Sequence, residues 1–294
     1  MSAASIESQP ETQAARGFRG LTIGVAIAKH LAVFAVIIIV WESASALGLI
    51  DTILLPTPTD IARGIVDLYV TNRQIYGHFL ITFYEAFAGF LIAAGVGIAI
   101  AVGSTLSRRF RRYVSPYAVI LNVTPGLALT PIIIAWFGFG YSSKIALGAI
   151  VSFFPVFVNA LIGLTRVDRE MDEMFQSLGA TRLQRFFKLQ VPEALPLIFA
   201  GFKIAITTAL VGAVVSEFSQ GTAGIGVLMQ RFAFSLDMGS AIAALLSMSL
   251  LGLLLFTIIE LLDVQVVFWR REARRNQVSR KRQQRWAQLL NDNN

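Results

Sequence analysis

Residues 173–192 read EMFQSLGATRLQRFFKLQVP, a charged, amphipathic segment in a chain otherwise made of long apolar runs. Apolar side chains recur at helical spacing as the chain enters this segment, at Met171, Met174, Phe175 and Leu178. Gly179 offers the left-handed residue that ends a helix, and Thr181 is a residue type that caps the next one. The pattern predicts two short helices joined by a tight turn at Gly179.

The second predicted helix has an apolar face and a basic face. Its apolar side chains are Leu183, Phe186 and Phe187, and its basic side chains are Arg182, Arg185 and Lys188. We expect Pro192 to end this helix, because proline has no backbone N–H to continue the hydrogen-bond ladder. The local pattern fits either an element that binds a partner or an interfacial hairpin that joins two membrane spans.

The composition is that of a polytopic membrane protein. The chain has 294 residues, of which 55% are hydrophobic and 15% charged. It contains no cysteine and only two histidines, which excludes disulfides and thiolate sites and leaves too few ligands for a histidine cluster. No Gly-x-x-x-x-Gly-Lys-Ser/Thr pattern is present either, so we expect no metal, cofactor or ATP to be bound by this chain.

A bilayer span needs about 20 apolar residues, and the sequence holds about six such stretches. They cover residues 21–46, 79–105, 114–136, 143–165, 195–217 and 238–268. The predicted fold is therefore all-α, with about six transmembrane helices. It divides into an N-terminal tail, a transmembrane domain with a charged loop, and a basic C-terminal tail: residues 1–20, 21–268 (loop 167–194) and 269–294.

Lysine and arginine mark one side of the membrane. They flank span one and fill the loops after spans two, four and six, at Arg16, Arg19, Arg108, Arg109, Arg111, Arg112, Arg166, Arg169, Arg182, Arg185, Lys188 and residues 270–285. The opposite loops hold only Arg63, Arg73, Lys144 and Arg231. The positive-inside rule thus predicts that both termini and the loop 167–194 are cytoplasmic.

The basic run 270–285 also accounts for the net charge of +7. Its simplest role is to hold the tail against anionic lipid. A nucleic-acid-binding tail is the alternative, but this run has no interleaved aromatic residues apart from the neighbouring Trp286. We expect lipid, and no nucleic acid, as the partner of this tail.

Spans two, three and five carry the candidate residues of a translocation path. Pro125 and Pro131 predict a bent span three, and bent helices usually face protein or a cavity. Small and hydroxylated residues, among them Thr208, allow close approach of span five to other helices. Glu85 and Glu217 are costly near hydrocarbon, so they line a cavity, anchor an interface or form a structural pair. The glycine-rich segment 218–237 is expected to be a flexible or re-entrant loop.

The charged loop resembles the signature of the permease subunits of binding-protein-dependent ABC importers. That signature is Glu-Ala-Ala, three residues, Gly, nine residues, then Ile-x-Leu-Pro. Glu173 and Gly179 match it at the right spacing, and residues 189–192 stand for its end, while Met174 and Phe175 replace the two alanines. In the family this loop contacts the ATPase. The resemblance implies this coupling role for Glu173, Met174, Phe175, Gly179, Ala180, Arg182 and Pro192.

The resemblance extends from about Trp41 to about Trp269. Its landmarks are similar to the nitrate, sulfonate and taurine branch, which also includes permeases for thiamine pyrimidine precursors and riboflavin. They are Leu55-Pro56-Thr57-Pro58, Thr124-Pro125, Thr130-Pro131, Trp136-Phe137-Gly138-Phe139-Gly140, Phe153-Phe154-Pro155, Glu217 and Gly224-Ile225-Gly226.

Membership would imply a type I importer permease in the bacterial cytoplasmic membrane. It implies a second permease copy or a paralogue, two cytosolic ATPases that bind ATP-Mg, and an extracytoplasmic binding protein. The expected cargo is a small anion such as nitrate, a sulfonate or taurine, and the alternative cargo is a pyrimidine precursor or riboflavin. Two other classes stay open, an ion-coupled secondary transporter and a scaffold or channel without energy coupling.

Overall fold

The computed structural model describes residues 11–53, 55–220 and 223–269, and these residues form helices without strands. In chain order the α-helices are α1 (Glu11–Ala46), α2 (Pro58–Val66), α3 (Ile75–Leu106), α4 (Arg108–Val123), α5 (Gly126–Phe137), α6 (Tyr141–Thr165), α7 (Arg169–Ser177), α8 (Arg182–Arg185), α9 (Val191–Gln220), α10 (Ile225–Phe234) and α11 (Met238–Val266). Single π-helical turns follow α2 and α8, at Asp67–Thr71 and Phe186–Gln190.

The predicted all-α membrane architecture is confirmed. Within the described ranges, five helices are long and apolar enough to cross a membrane, and α4 with α5 makes a sixth candidate span. Two segments contain helix that was not predicted. Residues 11–20 of the predicted tail are helical and continue into α1, and the segment 218–237, predicted as a flexible or re-entrant loop, contains the helix α10. The basic run 270–285 lies outside the described residues.

Span three is two helices rather than one bent helix. The axes of α4 and α5 differ by 109°. The break falls at Thr124 and Pro125, whose ψ angles of 122° and 124° are extended. A residue before proline avoids the helical region, so Thr124 ends α4 and Pro125 opens α5. The predicted bend of span three thus falls at Pro125, while Pro131 lies inside α5 without interrupting it.

Helices α3, α6 and α9 form the centre of the protein, and glycines allow their backbones to meet. A Cβ atom built on Gly212 of α9 would lie 2.9 Å from the Cα atom of Gly148 in α6. A Cβ on Gly89 of α3 would lie 3.0 Å from the carbonyl oxygen of Ile145 in α6. Small residues at these crossings replace side-chain packing with close backbone contact, as expected for helices in lipid. Gly212 of span five is therefore a packing residue.

The remaining helices surround this centre. Helix α11 packs against α9, α10 and α2, and the hydroxyl of Tyr69 donates a hydrogen bond to Ser247 Oγ at 2.9 Å. Helix α1 lies at the edge, and almost none of the residues in its apolar part Ala28–Ala46 are buried. The carboxylate of Glu42 ties its end to α2 by accepting hydrogen bonds from the backbone and the hydroxyl of Thr59.

Candidate functional site

The segment 168–190, called the hairpin below, folds through local hydrogen bonds. The carboxylate of Asp168 caps α7 by accepting from the backbone N–H of Glu170 at 2.9 Å. Gly179 has φ +74°, and the following N–H of Ala180 donates back to the carbonyl of Phe175. Thr181 and Gln184 form a reciprocal capping box at the start of α8. The predicted helix, glycine turn and threonine cap are all present.

An ion pair that the sequence analysis missed joins the two arms of the hairpin. Arg185 Nη1 of α8 lies 2.9 Å from both carboxylate oxygens of Asp172 in α7. Gln176 donates a further hydrogen bond to the same carboxylate at 2.8 Å. Both charged side chains are less than a third exposed, so solvent screens this pair less than a surface pair. The sequence signal for this pair was an acidic and a basic residue thirteen positions apart, one on each side of the predicted turn.

The hairpin exposes apolar side chains. Met171, Met174, Leu178, Leu183 and Phe187 are all exposed, with Leu178 the most at 77%. Isolated exposed apolar residues are ordinary, but five within one short helical hairpin indicate a contact surface. The exposed apolar surface is the feature of the hairpin best suited to binding a partner, since its other side chains are polar or form contacts within the hairpin.

The residues that the resemblance assigns to coupling lie in and beside this surface. Glu173 is exposed and paired with Arg169 at 2.8 Å. Met174, Gly179 and Arg182 are exposed, whereas Phe175 and Ala180 are partly buried against the hairpin. All of these coupling candidates except Pro192 therefore lie within the hairpin, close to its exposed apolar side chains.

Pro192 does not end the second helix, which corrects the prediction made for it. Helix α8 continues through a π-helical turn at Phe186–Gln190 directly into α9, and Pro192 is the second residue of α9. Val191 N–H donates to the carbonyl of Phe186, five residues earlier, which widens the turn just before the proline ring. The hairpin thus continues without a break in helical backbone into a central helix of the membrane domain.

The candidate path residues fall into two groups. Pro125 and Pro131 are exposed on α5, which packs against α6 and α9. Thr208 of α9 is partly exposed, between the exposed Ile204 and Val211 along one stripe of the helix. Glu217 differs, because its side chain is fully buried inside the protomer. In this conformation Glu217 therefore does not face an open surface, unlike the other three candidates.

Glu217 instead belongs to a buried polar group around the turn between α9 and α10. This group, called the turn cluster, consists of His78, Thr82, Glu85, Lys144 and Glu217. Lys144 was predicted to lie in a loop, but it is a buried residue of α6 that donates to Glu85 at 2.9 Å. Glu85 and Glu217 were expected to line a cavity, anchor an interface or form a structural pair, and their burial fits the structural role.

The turn cluster binds successive backbone groups of residues 223–226. Lys144 donates to the carbonyl of Ala223 at 2.7 Å. Three acceptors take the next three N–H groups: His78 Nδ1 from Gly224, Thr82 Oγ1 from Ile225 and Glu217 Oε2 from Gly226. A Cβ on Gly224 would overlap the Glu217 carboxyl group, so the Gly-Ile-Gly sequence is needed for close approach rather than for a nucleotide.

Sequence reasoning could not assemble this cluster. Its members come from three helices, and the side-chain bonds between these helices join residues 59 and 135 positions apart along the chain. The available signal was the presence of Glu85, Lys144 and Glu217 in or beside apolar spans, where an ionisable residue needs a partner. No groups of His, Asp and Glu suited to a metal ion occur in the described part of the chain.

The fold, the broken third span and the hairpin define a multi-pass membrane permease. Residues 93–267 match the family described as binding-protein-dependent transport system inner membrane component, and this match covers more than half of the chain. The protein belongs to this family and is a transport subunit of a bacterial ABC importer in the inner membrane, rather than an enzyme. An ion-coupled transporter and an uncoupled scaffold are thereby ruled out as its class.

Relatives place the chain in the nitrate, sulfonate and taurine branch. It is 34% identical over 243 residues to the putative aliphatic sulfonates transport permease protein SsuC of Bacillus subtilis, covering 82% of this chain and 87% of the relative. It is 32% identical to the formylaminopyrimidine transport permease protein ThiX of Halalkalibacterium halodurans, covering 81% and 94%. It is 26% identical to the taurine transport system permease protein TauC of Escherichia coli, covering 81% and 88%.

Solved structures support the same fold. An amino acid ABC transporter chain superposes with a TM-score of 0.57 at 18% identity, covering 68% of this chain and 98% of that chain. The MetNI methionine ABC transporter in an inward facing conformation gives a TM-score of 0.55, also at 18% identity, covering 68% and 97%. At this identity the likeness concerns the fold and not the cargo.

Proposed function

We propose that the hairpin 168–190 is the element through which ABC ATPase subunits drive this permease. The observation that carries the proposal is the set of exposed apolar side chains on a hairpin that is internally capped and continuous with α9. A helix with an exposed apolar face suits a groove on a partner protein. The continuous helical connection to α9 lets movement of the hairpin reach the membrane domain.

The complete transporter would contain two copies of this chain, or one copy with a paralogue, and two cytosolic ATPases that bind ATP-Mg. An extracytoplasmic binding protein delivers the solute. Closure of the ATPase dimer brings the two hairpins together and opens the cavity outward, and hydrolysis resets it inward. ATP on the partner chain thus stabilises one of two permease states.

The orientation that this proposal requires places both termini and the hairpin in the cytoplasm. Single cysteines at Ser177 of α7 and Ser219 near the end of α9 test it, because the chain has no cysteine of its own and both sites are exposed. An impermeant thiol reagent added to intact cells should label Ser219→Cys and not Ser177→Cys. Labelling of Ser177→Cys from outside would reverse the orientation.

The translocation path is proposed to run between α5 and α9, along the exposed faces that carry Pro125, Pro131 and Thr208. Replacement of Pro131 by Ala restores a backbone N–H inside α5 and should change uptake kinetics without changing assembly. Pro116→Ala makes the same chemical change inside α4, also at an exposed position. Equal kinetics for both variants and the wild type would remove Pro131 from the path.

We propose a small sulfonate or a similar anion as the solute, because relatives named for sulfonates and taurine match most of the chain. A pyrimidine precursor is the second candidate, supported by 32% identity to the formylaminopyrimidine permease. The binding protein that works with this permease can decide between them. Calorimetric titration with taurine, an alkanesulfonate and formylaminopyrimidine should give binding to the sulfonates only.

The coupling role is tested with two hairpin variants and one matched control. Gly179→Val places a branched side chain at φ +74°, where it has open space but a strained backbone. Gly48→Val introduces the same strain at φ +72°, also with open space, far from the hairpin. Glu173→Ala removes an exposed carboxylate. ATPase pull-down from detergent extracts and solute uptake are measured in the same cells.

Both hairpin variants should remain inserted while ATPase binding and uptake fall together. Gly48→Val should retain both, since its strain lies outside the contact surface. If the ATPase binds the Gly179→Val chain as tightly as the wild type and uptake persists, the hairpin is not the coupling element. An interfacial hairpin without a partner would give that second result.

A further inference from the structure

The turn cluster contains more negative than positive groups if every residue carries its usual charge. Glu85, Glu217 and Lys144 are all at most 1% exposed, and they contribute two carboxyl groups against one ammonium. His78 is neutral, because its Nδ1 atom accepts the N–H of Gly224. The positive charge of Arg231 in α10 interacts electrostatically with His78, but the side chain of Arg231 is exposed. One carboxyl group would therefore be a buried, uncompensated anion.

The hydrogen bonds of Thr82 bear on which of the two carboxyl groups, Glu85 or Glu217, is neutral. Its Oγ1 atom lies 3.1 Å from the carbonyl oxygen of His78, one helical turn earlier, and accepts the N–H of Ile225 at 2.9 Å. Oγ1 is also 2.6 Å from Oε1 of Glu217, the usual range of an O–H···O bond. A hydroxyl group has one proton, and the carbonyl of His78 can only accept it. Thr82 Oγ1 is thus within hydrogen-bond distance of two acceptors, and where its one proton goes to the carbonyl of His78, the bond to Glu217 must be donated by Glu217.

We infer that Glu217 holds a resident proton and acts as a neutral carboxylic acid. Its Oε1–H donates to Thr82, and its Oε2 accepts the N–H of Gly226 at 2.6 Å. Lys144 and Glu85 then form a balanced ion pair, and the cluster as a whole is neutral. An isolated buried charge is strongly unfavourable, so this arrangement satisfies both the charge balance and the hydrogen bonds of the turn.

The proton has a structural role. It completes the set of side chains that fix residues 223–226 to α3, α6 and α9. Backbone at Gly224 and Gly226 covers the carboxyl group so closely that a Cβ atom at either glycine would collide with it. Such enclosure is expected of a proton that stays bound, in contrast to the proton of an ion-coupled carrier, which must exchange with both sides of the membrane.

Glutamine at position 217 is the sharpest test. Its amide can donate to Thr82 and accept from Gly226, as the neutral acid does, but it cannot carry a negative charge. Glu217→Met has a similar length and neither hydrogen bond. We expect the thermal unfolding midpoint of the full-length chain in detergent extracts to change by less than about 2 °C for Glu217→Gln and to fall by about 6 °C or more for Glu217→Met.

Two further variants locate the proton. The buried Glu85 carboxyl group lies beside that of Glu217, so Glu85 is the competing position for the proton. If Glu85 is ionised, Glu85→Gln leaves Lys144 unpaired and lowers the midpoint by about 6 °C or more. The double variant Glu85→Gln/Lys144→Met removes both charges and should recover part of that loss.

Several outcomes would overturn the inference. A Glu217→Gln chain that is as unstable as Glu217→Met, or that fails to insert, would show that Glu217 is ionised. A stable Glu85→Gln chain beside an unstable Glu217→Gln chain would place the proton on Glu85. Solute uptake by Glu217→Gln at the wild-type rate supports a resident proton, whereas loss of uptake at unchanged stability would show that the proton must leave. Unchanged stability of Glu217→Met would show that the turn needs no such bonds.

Discussion

The hairpin and the turn cluster both reverse the chain at a glycine with positive φ, yet they are built in opposite ways. At Gly179 a Cβ atom would meet nothing within 4 Å, whereas at Gly224 it would overlap the carboxyl group of Glu217. The hairpin is held mainly by caps and by contacts between neighbours in sequence. The turn cluster is held by side chains up to 146 residues away.

This difference reflects what each region contacts. The hairpin leaves apolar side chains exposed, which suits a surface that a partner protein covers. The turn cluster buries ionisable side chains around backbone groups, which suits a permanent joint between helices. A substitution at the open turn should therefore affect binding more than stability, and a substitution at the closed turn should do the reverse.

The largest expected effect is that of Gly224→Ala. The added methyl group collides with Glu217, and the alanine backbone must hold φ +128°, which a residue with a side chain rarely adopts. We therefore expect the free energy of unfolding to fall by about 2–4 kcal/mol. Gly179→Ala adds the same atom in open space and should lower stability by about 1 kcal/mol. Thermal unfolding of the two full-length variants in detergent measures the difference. Equal midpoints would contradict the contrast between a closed and an open turn.

An intermediate effect is expected for Asp172→Ala in the hairpin. Arg185 would lose its partner while staying largely buried, and its Nε atom already has no hydrogen bond in the described structure. We expect a local loss of about 1–2 kcal/mol, seen as faster proteolysis within residues 168–190 and weaker ATPase binding.

Glu170→Ala, an exposed change on the same helix, is the control for Asp172. It should leave the rate of proteolysis close to that of the wild type. If Asp172→Ala and Glu170→Ala are cleaved equally fast, the ion pair with Arg185 does not join the two arms of the hairpin.

The smallest effect is expected for Arg169→Ala. Its ion pair with Glu173 is exposed on both sides, so its contribution to stability should be below about 0.5 kcal/mol. ATPase binding by Arg169→Ala should stay near the wild-type level, while Glu173→Ala reduces it. Equal losses for the two variants in the pull-down would assign the effect to their ion pair and not to a contact between Glu173 and the ATPase.

The sequence predicted the hairpin well because its folding signals are local. A glycine at the C-terminal end of α7 and the Thr181 capping box act over a few residues, and they appear as predicted. Pro192 was interpreted wrongly, because the π-helical turn before it lets the helix continue. The bend predicted from Pro125 and Pro131 falls at Pro125, and α5 continues through Pro131.

The sequence by itself determined that the protein is an all-helical, multi-pass membrane protein, with its approximate spans and the location of the hairpin. These features depend on hydrophobic run length and on short-range signals, which any reader of the sequence can count. Only the tertiary structure decided that Glu85, Lys144 and Glu217 form one buried group around residues 223–226. The physical reason is that a buried charge is stable only beside its partners, and helix packing alone brings partners from distant spans together.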